Sequence, residues 1–227
     1  PAARRLVLSR RAVIEKQAAD ANAKLLETLE PGAELDGILA WCREARVPTV
    51  FWNKEDPVHF DTFLGTARRF ERVFTTDVDR IPAYREALGH DRIHLLPFAC
   101  QPAHTHPLET LPRKDAFCFA GAWYERFTER SRDLRGLLAA LEARKPVEIY
   151  DRNHGRDDPL YRFPDDLRPL VVGHLPYGEI DRAYKGYRYA ITMNTVKHSP
   201  SMCARRVFEL LASNTLTLGN FSHAVRT

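Results

Sequence analysis

Cysteine is scarce, four in 227 residues, and Cys42, Cys100, Cys118 and Cys203 stand far apart, three of them within apolar runs. That spacing excludes a CxxC metal pattern and a secreted disulfide framework, and it fits a reducing cytoplasm. Long apolar runs are missing too, since no stretch approaches the roughly 20 residues of a membrane span. The start, Pro1 to Arg5, has neither the apolar core of a signal peptide nor an initiator methionine. The chain therefore reads as cytoplasmic and as a piece of a longer protein, whose peripheral association with a membrane stays open. Nor is there an excess of one charge. Against 34 Lys+Arg stand 30 Asp+Glu, a net +4 without any long basic block, which argues against a nucleic-acid partner. Fixed-period repeats and low-complexity tracts are also absent.

What the chain does have is an apolar content of 44 %, enough for one large domain or two modest ones. Residues 10–29 and 36–46 carry helical spacing of Ala, Leu, Val and Ile, and Val47 to Trp52 reads as a buried strand. Helices over 60–70 and 80–88 then alternate with strands over 72–77 and 93–98. A proline- and histidine-rich passage, Gln101 to Pro112, interrupts the rhythm with the composition of a domain crossing. A second series follows, with strands over 116–120, 147–150, 170–173, 189–194 and 215–218 and helices over 130–144 and 178–186. Such alternation predicts parallel sheets covered on both faces. The domains are expected at 1–110 and 111–227.

In open parallel sheets ligands bind beyond the carboxyl ends of the strands. The residues there are polar or glycine-containing: Gly121 to Tyr124, Asp151 to His154, Gly173 to Pro176 and Asn194 to His198. They would share one rim with a helix over 201–213, for which Ser199 is the expected N-cap and Pro200 the first-turn residue. Arg205 and Arg206 would then lie early in that helix, where cations oppose the macrodipole unless an anion answers them. A helix amino end flanked by two guanidinium groups suits a diphosphate.

Several segments resemble the CgeB-like (spore-maturation, DUF3880-type) glycosyltransferases of the two-Rossmann-domain GT-B class. They are Phe51 to Pro57, Val73 to Asp77, Leu95 to Ala99, Phe119 to Ala122, Tyr184 to Tyr187 and, most specific, Asn194 through Ala212 with its Arg-Val-Phe-Glu. The resemblance covers roughly 47–220 and implies an α/β fold of two Rossmann-like domains, both partial in this chain. It implies a hexosyltransferase-like enzyme that moves a sugar from a UDP-, GDP- or similar sugar to an acceptor (a cell-surface glycan, protein or small molecule), with no metal or further cofactor. By the same resemblance Glu209 would bind the ribose hydroxyls and Arg205 and Arg206 would neutralise the diphosphate. Gly121 would admit the donor to the backbone, and His174, Leu175 and Pro176 would meet the base. Ser201 stands where retaining members of the wider class carry the first acid of a Glu-x7-Glu signature, which leaves the stereochemistry open.

Other residues have competing readings. Glu55 and His59 follow the strand ending near Trp52 and are the acceptor-side acid or base candidates, whereas Asp56 before Pro57 reads as the N-cap of the next helix. Asp77-Val-Asp79 is a literal Asp-x-Asp, yet capping explains it better than metal binding. His104-Thr-His106 lacks a nearby acid or cysteine and reads as linker. Lys197 and Trp123 are placed on the cleft rim, the former as a point charge for phosphate together with Ser199 and Ser201, while Phe51 and Trp52 read as core. Two alternatives to sugar transfer remain: a nucleotide-sugar epimerase of the same fold, and a non-catalytic nucleotide-sugar-binding or spore-coat protein.

Overall fold

All eight apolar runs expected to be strands form strands, and all of their pairings are parallel. A computed structural model describes residues 33–109 and 111–226; the helix expected over 10–29 lies outside them. In chain order the elements are α1 (Ala33–Glu44), β1 (Val50–Asn53), α2 (Phe60–Ala67), β2 (Arg72–Thr75), α3 (Ile81–Leu88) and β3 (Ile93–Leu95), then β4 (Lys114–Gly121), α4 (Thr128–Glu142), β5 (Val147–Asp151), β6 (Val171–Gly173), α5 (Asp181–Tyr184), β7 (Tyr187–Thr192), α6 (Arg205–Ala212), β8 (Leu216–Gly219) and α7 (His223–Arg226). The first sheet has the order β1-β2-β3 and the second β6-β5-β4-β7-β8. Mixed α/β layers around parallel sheets make this a Rossmann-like architecture.

Strand β4, in the middle of the second sheet, shows why the layers form as they do. From Ala116 to Gly121 every residue is buried, as a central strand covered on both faces requires. Alternation along it sends Phe117 and Phe119 to one face, where they pack with Leu134, Leu138 and Leu141 of α4. Ala116, Cys118 and Ala120 go to the other, against Tyr184, Tyr187 and Leu210. The small residues of that second face let α5 and α6 approach the sheet closely. Burial pushes the Cys118 thiol upward, so it behaves as a small apolar side chain.

The first sheet has its own apolar cluster of Ala67, Val73, Tyr84 and Ile93. Beside it lies a polar knot that corrects the reading of Asp56 as a helix cap. Helix α2 starts at Phe60, and its N-cap position is His59, with no side-chain cap bond. Asp56 is fully buried and accepts hydrogen bonds from Thr75 Oγ1 at 2.6 Å, Asn53 Nδ2 at 2.8 Å and Tyr84 Oη at 3.3 Å. A carboxylate that ties two strand ends to α3 serves the core before it serves the helix. Asp77 and not Asp79 does the local capping, accepting from the Asp79 N–H at 3.2 Å.

Candidate functional site

The carboxyl ends of β4 and β5, the turn after β6 and the start of α6 line a cleft of about 1010 Å³. Lys54, Glu55 and Phe98 face the same cleft from the first-sheet side. Its walls carry Lys54, Arg130, Arg152, Arg156, Arg205 and Arg206, six permanent cations against the two carboxylates Glu55 and Glu209. That balance favours an anionic ligand.

Helix α6 supplies the densest polar chemistry. Val207 and Leu210 are buried, and Leu210 packs over the alanine face of β4, which fixes the roll of the helix. Glu209, 7 % exposed, is thereby held against the cleft wall. Its Oε1 takes the Nε–H of Arg205 at 2.9 Å and its Oε2 the hydroxyl of Tyr184 at 2.8 Å. The same hydroxyl lies 3.4 Å from Arg206 Nε. Burial opposes the Arg206 charge, but the neighbouring Tyr184 and Glu209 outweigh it and hold the guanidinium above its ordinary value. Burial likewise raises the Tyr184 hydroxyl, which keeps it a donor to Glu209.

On the opposite wall Arg130 is 7 % exposed. It donates to the Ala122 carbonyl at 3.2 Å and lies over the Tyr124 ring at 5.0 Å. Gly121 ends β4 beside it, and a Cβ there would come within 2.4 Å of Phe119 Cζ; packing against the fully buried Phe119 thus demands glycine independently of any ligand. Beyond β6, His174 Nδ1 is 3.3 Å from the Asp151 carbonyl, and Leu175 and Pro176 complete that corner of the wall.

Of the expected site residues, Gly121, His174, Leu175, Arg205, Arg206, Glu209 and Glu55 line the cleft. Five others do not. Trp123 is buried in the α4-side core, tilted against Phe163, with its Nε1 donating to Glu125. Lys197 is drawn to Asp133 and Glu129 of α4 at 2.5 and 2.7 Å. His59 meets the Phe63 ring edge-on at the start of α2. Ser199 and Ser201 are taken by the first-sheet side, because α6 begins only at Arg205, behind Ala204 as N-cap. The helix expected over 201–213 is therefore shorter, although its amino end, at Ala204, does open on the cleft.

The two serines form a seam. Ser199 Oγ donates to Asp77 Oδ1 at 2.7 Å and accepts from the Met202 N–H at 2.9 Å. Ser201 Oγ donates to the Thr76 carbonyl at 3.0 Å and accepts from the Val78 N–H at 2.8 Å. Ser199 and Asp77 are both buried. Ser199→Ala strips a donor from a buried carboxylate and should lower unfolding stability by about 1–3 kcal/mol in denaturant titration, with Ser199→Thr recovering much of it. Equal stability of all three proteins would mean that the seam contributes nothing.

Sequence reasoning missed Arg130 and the part played by Tyr184. A signal for Arg130 existed: it stands in helical phase with Leu134, Leu138 and Leu141, so it belongs to the buried face of α4. Among the described residues no cluster of His, Cys, Asp and Glu is arranged to hold a metal, and no helix is long and apolar enough to cross a membrane.

No family model matches the chain, and no curated protein matches it. Among solved structures, a chain in the crystal structure of the GtfA/B complex aligns with a TM-score of 0.39 at 14 % identity. The alignment covers 72 % of this chain and 33 % of that one, so the chain spans about a third of that neighbour's length.

Proposed function

We propose that the chain is the donor-binding part, with a portion of the acceptor side, of a metal-independent glycosyltransferase using a nucleoside-diphosphate sugar, and that it belongs with the CgeB-like proteins it resembles. The division at residues 110 and 111 is part of this reading. The observation that supports it best is the Arg205–Glu209–Tyr184–Arg206 group at the amino end of α6, on the wall of a cationic cleft. Glu209 keeps acceptor capacity for the ribose hydroxyls, since a carboxylate has about four lone-pair sites and the protein fills two. His174, Leu175 and Pro176 receive the base, and Gly121 lines the path of the diphosphate.

In the reaction, an acceptor hydroxyl oxygen forms a bond to the anomeric carbon as the bond from that carbon to the β-phosphate oxygen breaks, and the electron pair leaves with the nucleoside diphosphate. Arg206 and the free N–H groups of α6 meet the charge that develops there. Glu55, on the facing wall, takes the hydroxyl proton.

Nucleoside diphosphates, screened by thermal shift on the full-length protein, test this. A ligand that binds only the native state raises the melting temperature in step with its concentration over Kd. Glu209→Gln is expected to weaken binding of the preferred diphosphate about tenfold, roughly 1.4 kcal/mol, read as the ligand-induced shift from the variant's own ligand-free melting temperature, because the substitution also removes the buried pairing with Arg205 and Tyr184. The 2′-deoxy analogue should bind the parent protein more weakly than the ribonucleotide, and this difference should vanish in the variant. A Glu209→Gln protein that still distinguishes ribose from deoxyribose would remove Glu209 from the ribose site.

A further inference from the structure

The cleft holds more positive charge than a nucleotide sugar would answer. Arg205 is neutralised by Glu209 at 2.9 Å, and Glu55, next to Lys54 in the chain, is the other carboxylate lining the cleft and offsets one more charge in the count. Arg156 aside, which has interactions of its own, Arg206, Arg130 and Arg152 remain, one positive charge more than the two negative charges of a sugar diphosphate. Arg130 is the informative member, because it is buried and its partners are a backbone carbonyl and the Tyr124 ring. Among the described residues neither it nor Arg152 has an ion-pair partner. A buried guanidinium without a counterion is costly, and burial together with the nearby charges of Arg206 and Arg152 pushes Arg130 down to about 10, still charged at neutral pH. The fold places Arg130 there by the same helical phase that buries the α4 leucines, while Arg152 follows β5 at the cleft mouth, its N–H bonded to the Gly121 carbonyl at 2.8 Å.

We infer that Arg130 and Arg152 form a second anion subsite, separate from the diphosphate position at Arg206, which receives a carboxylate or phosphate carried by the transferred sugar or by the acceptor. The planar guanidinium of Arg130, backed by Tyr124, presents a fixed fork to a two-oxygen group, and Arg152 closes over it from the exposed side. The inference rests on the reading of the cleft as a nucleotide-sugar site and narrows its substrate class to acidic ones.

Isothermal titration of the full-length protein tests both, first with the nucleoside diphosphates, then with a neutral and a uronic sugar of the preferred base, and finally with inorganic phosphate added to the diphosphate complex. An acidic transferred sugar is indicated if the uronic donor binds at least about tenfold more tightly than the neutral one and Arg152→Gln abolishes that preference without changing diphosphate affinity. An acidic acceptor is indicated if the two donors bind alike and phosphate binds the complex saturably in the parent but not in Arg152→Gln. Because Arg130 is buried, Arg130→Lys serves as the second variant and should weaken the same step with the fold intact by circular dichroism. Diphosphate binding with neither effect overturns the subsite alone. Failure of every nucleoside diphosphate to bind overturns the subsite together with the nucleotide-sugar reading.

Discussion

Arg206→Gln is expected to lower the rate of sugar transfer by about 10²-fold or more, the usual consequence of removing one fixed donor aimed at developing charge. The affinity for the intact donor should change far less. Before bond breaking, the diphosphate carries its charge spread over both phosphates, within reach of the α6 amino end as well. When the bond to the sugar breaks, a further negative charge appears on the leaving oxygen, and the loss should therefore fall on kcat more than on KM. Arg206 suits this duty because Tyr184 and Glu209 hold it charged in spite of its burial and its Nε is positioned 3.4 Å from the Tyr184 hydroxyl. Removing the charge relieves Arg130, which Arg206 disfavours electrostatically, but forfeits the pairing with Tyr184 and Glu209, so the ligand-free melting temperature is measured beside the kinetics. Steady-state kinetics of the full-length enzyme check the split. A variant with an unchanged kcat would show that the leaving group is stabilised elsewhere.

The period-based part of the fold was readable in advance. Each strand announced itself as a short apolar run and each helix except α7 as a 3.6-residue repeat, so the order of elements through β8 and the parallel sheets followed from elementary geometry. Trp123 could have been placed by the same rule, because it continues the odd-numbered series Phe117, Phe119 and Gly121 toward the α4-side core. Other misplacements had no local signal. Ser199 and Pro200 have the composition of a helix start, but the hydroxyls of Ser199 and Ser201 are claimed by Asp77, Thr76 and Val78, more than 120 residues away. Lys197 is pulled from the rim by two acids one turn apart on α4. The placement of Glu209, Arg205 and Arg206 on the cleft survived the shift of the helix start, since the three keep their mutual spacing wherever the first turn begins.

Asp56→Asn is expected to remove a pH dependence of stability worth on the order of 3 kcal/mol, the equivalent of a rise from 3.8 to about 6. Burial is the main cause of that rise; Thr75 and Tyr84 counter it by hydrogen bonding, and the charge of Asp77 adds to it. A carboxyl whose folded pKa lies above its unfolded value is favoured when protonated. Its contribution is therefore complete below about 3.8 and disappears as the pH climbs through about 6. The protonated form has a place to put its hydrogen. Thr75 Oγ1, now a donor to Asp56 Oδ2, lies 3.3 Å from the Asp77 carbonyl and can turn its own proton there, accepting from Asp56 in exchange. Asparagine reproduces this state, with Nδ2 donating to Thr75 while Oδ1 still accepts from Asn53 and Tyr84. Urea titrations of both proteins between pH 4 and 7 should thus give unfolding free energies that agree at the acid end and diverge in favour of the variant as the pH rises. Taking the difference between the two proteins cancels carboxylates shifted the other way, Glu109, Asp115, Asp133 and Glu148, which are common to both. A constant difference across that range would mean that Asp56 ionises as an ordinary carboxylate despite its burial. Asp56 stands next to Glu55 on the cleft wall and shares Thr75 with Asp77, the partner of Ser199, so its ionisation near pH 6 would bear on both the acceptor side and the serine seam.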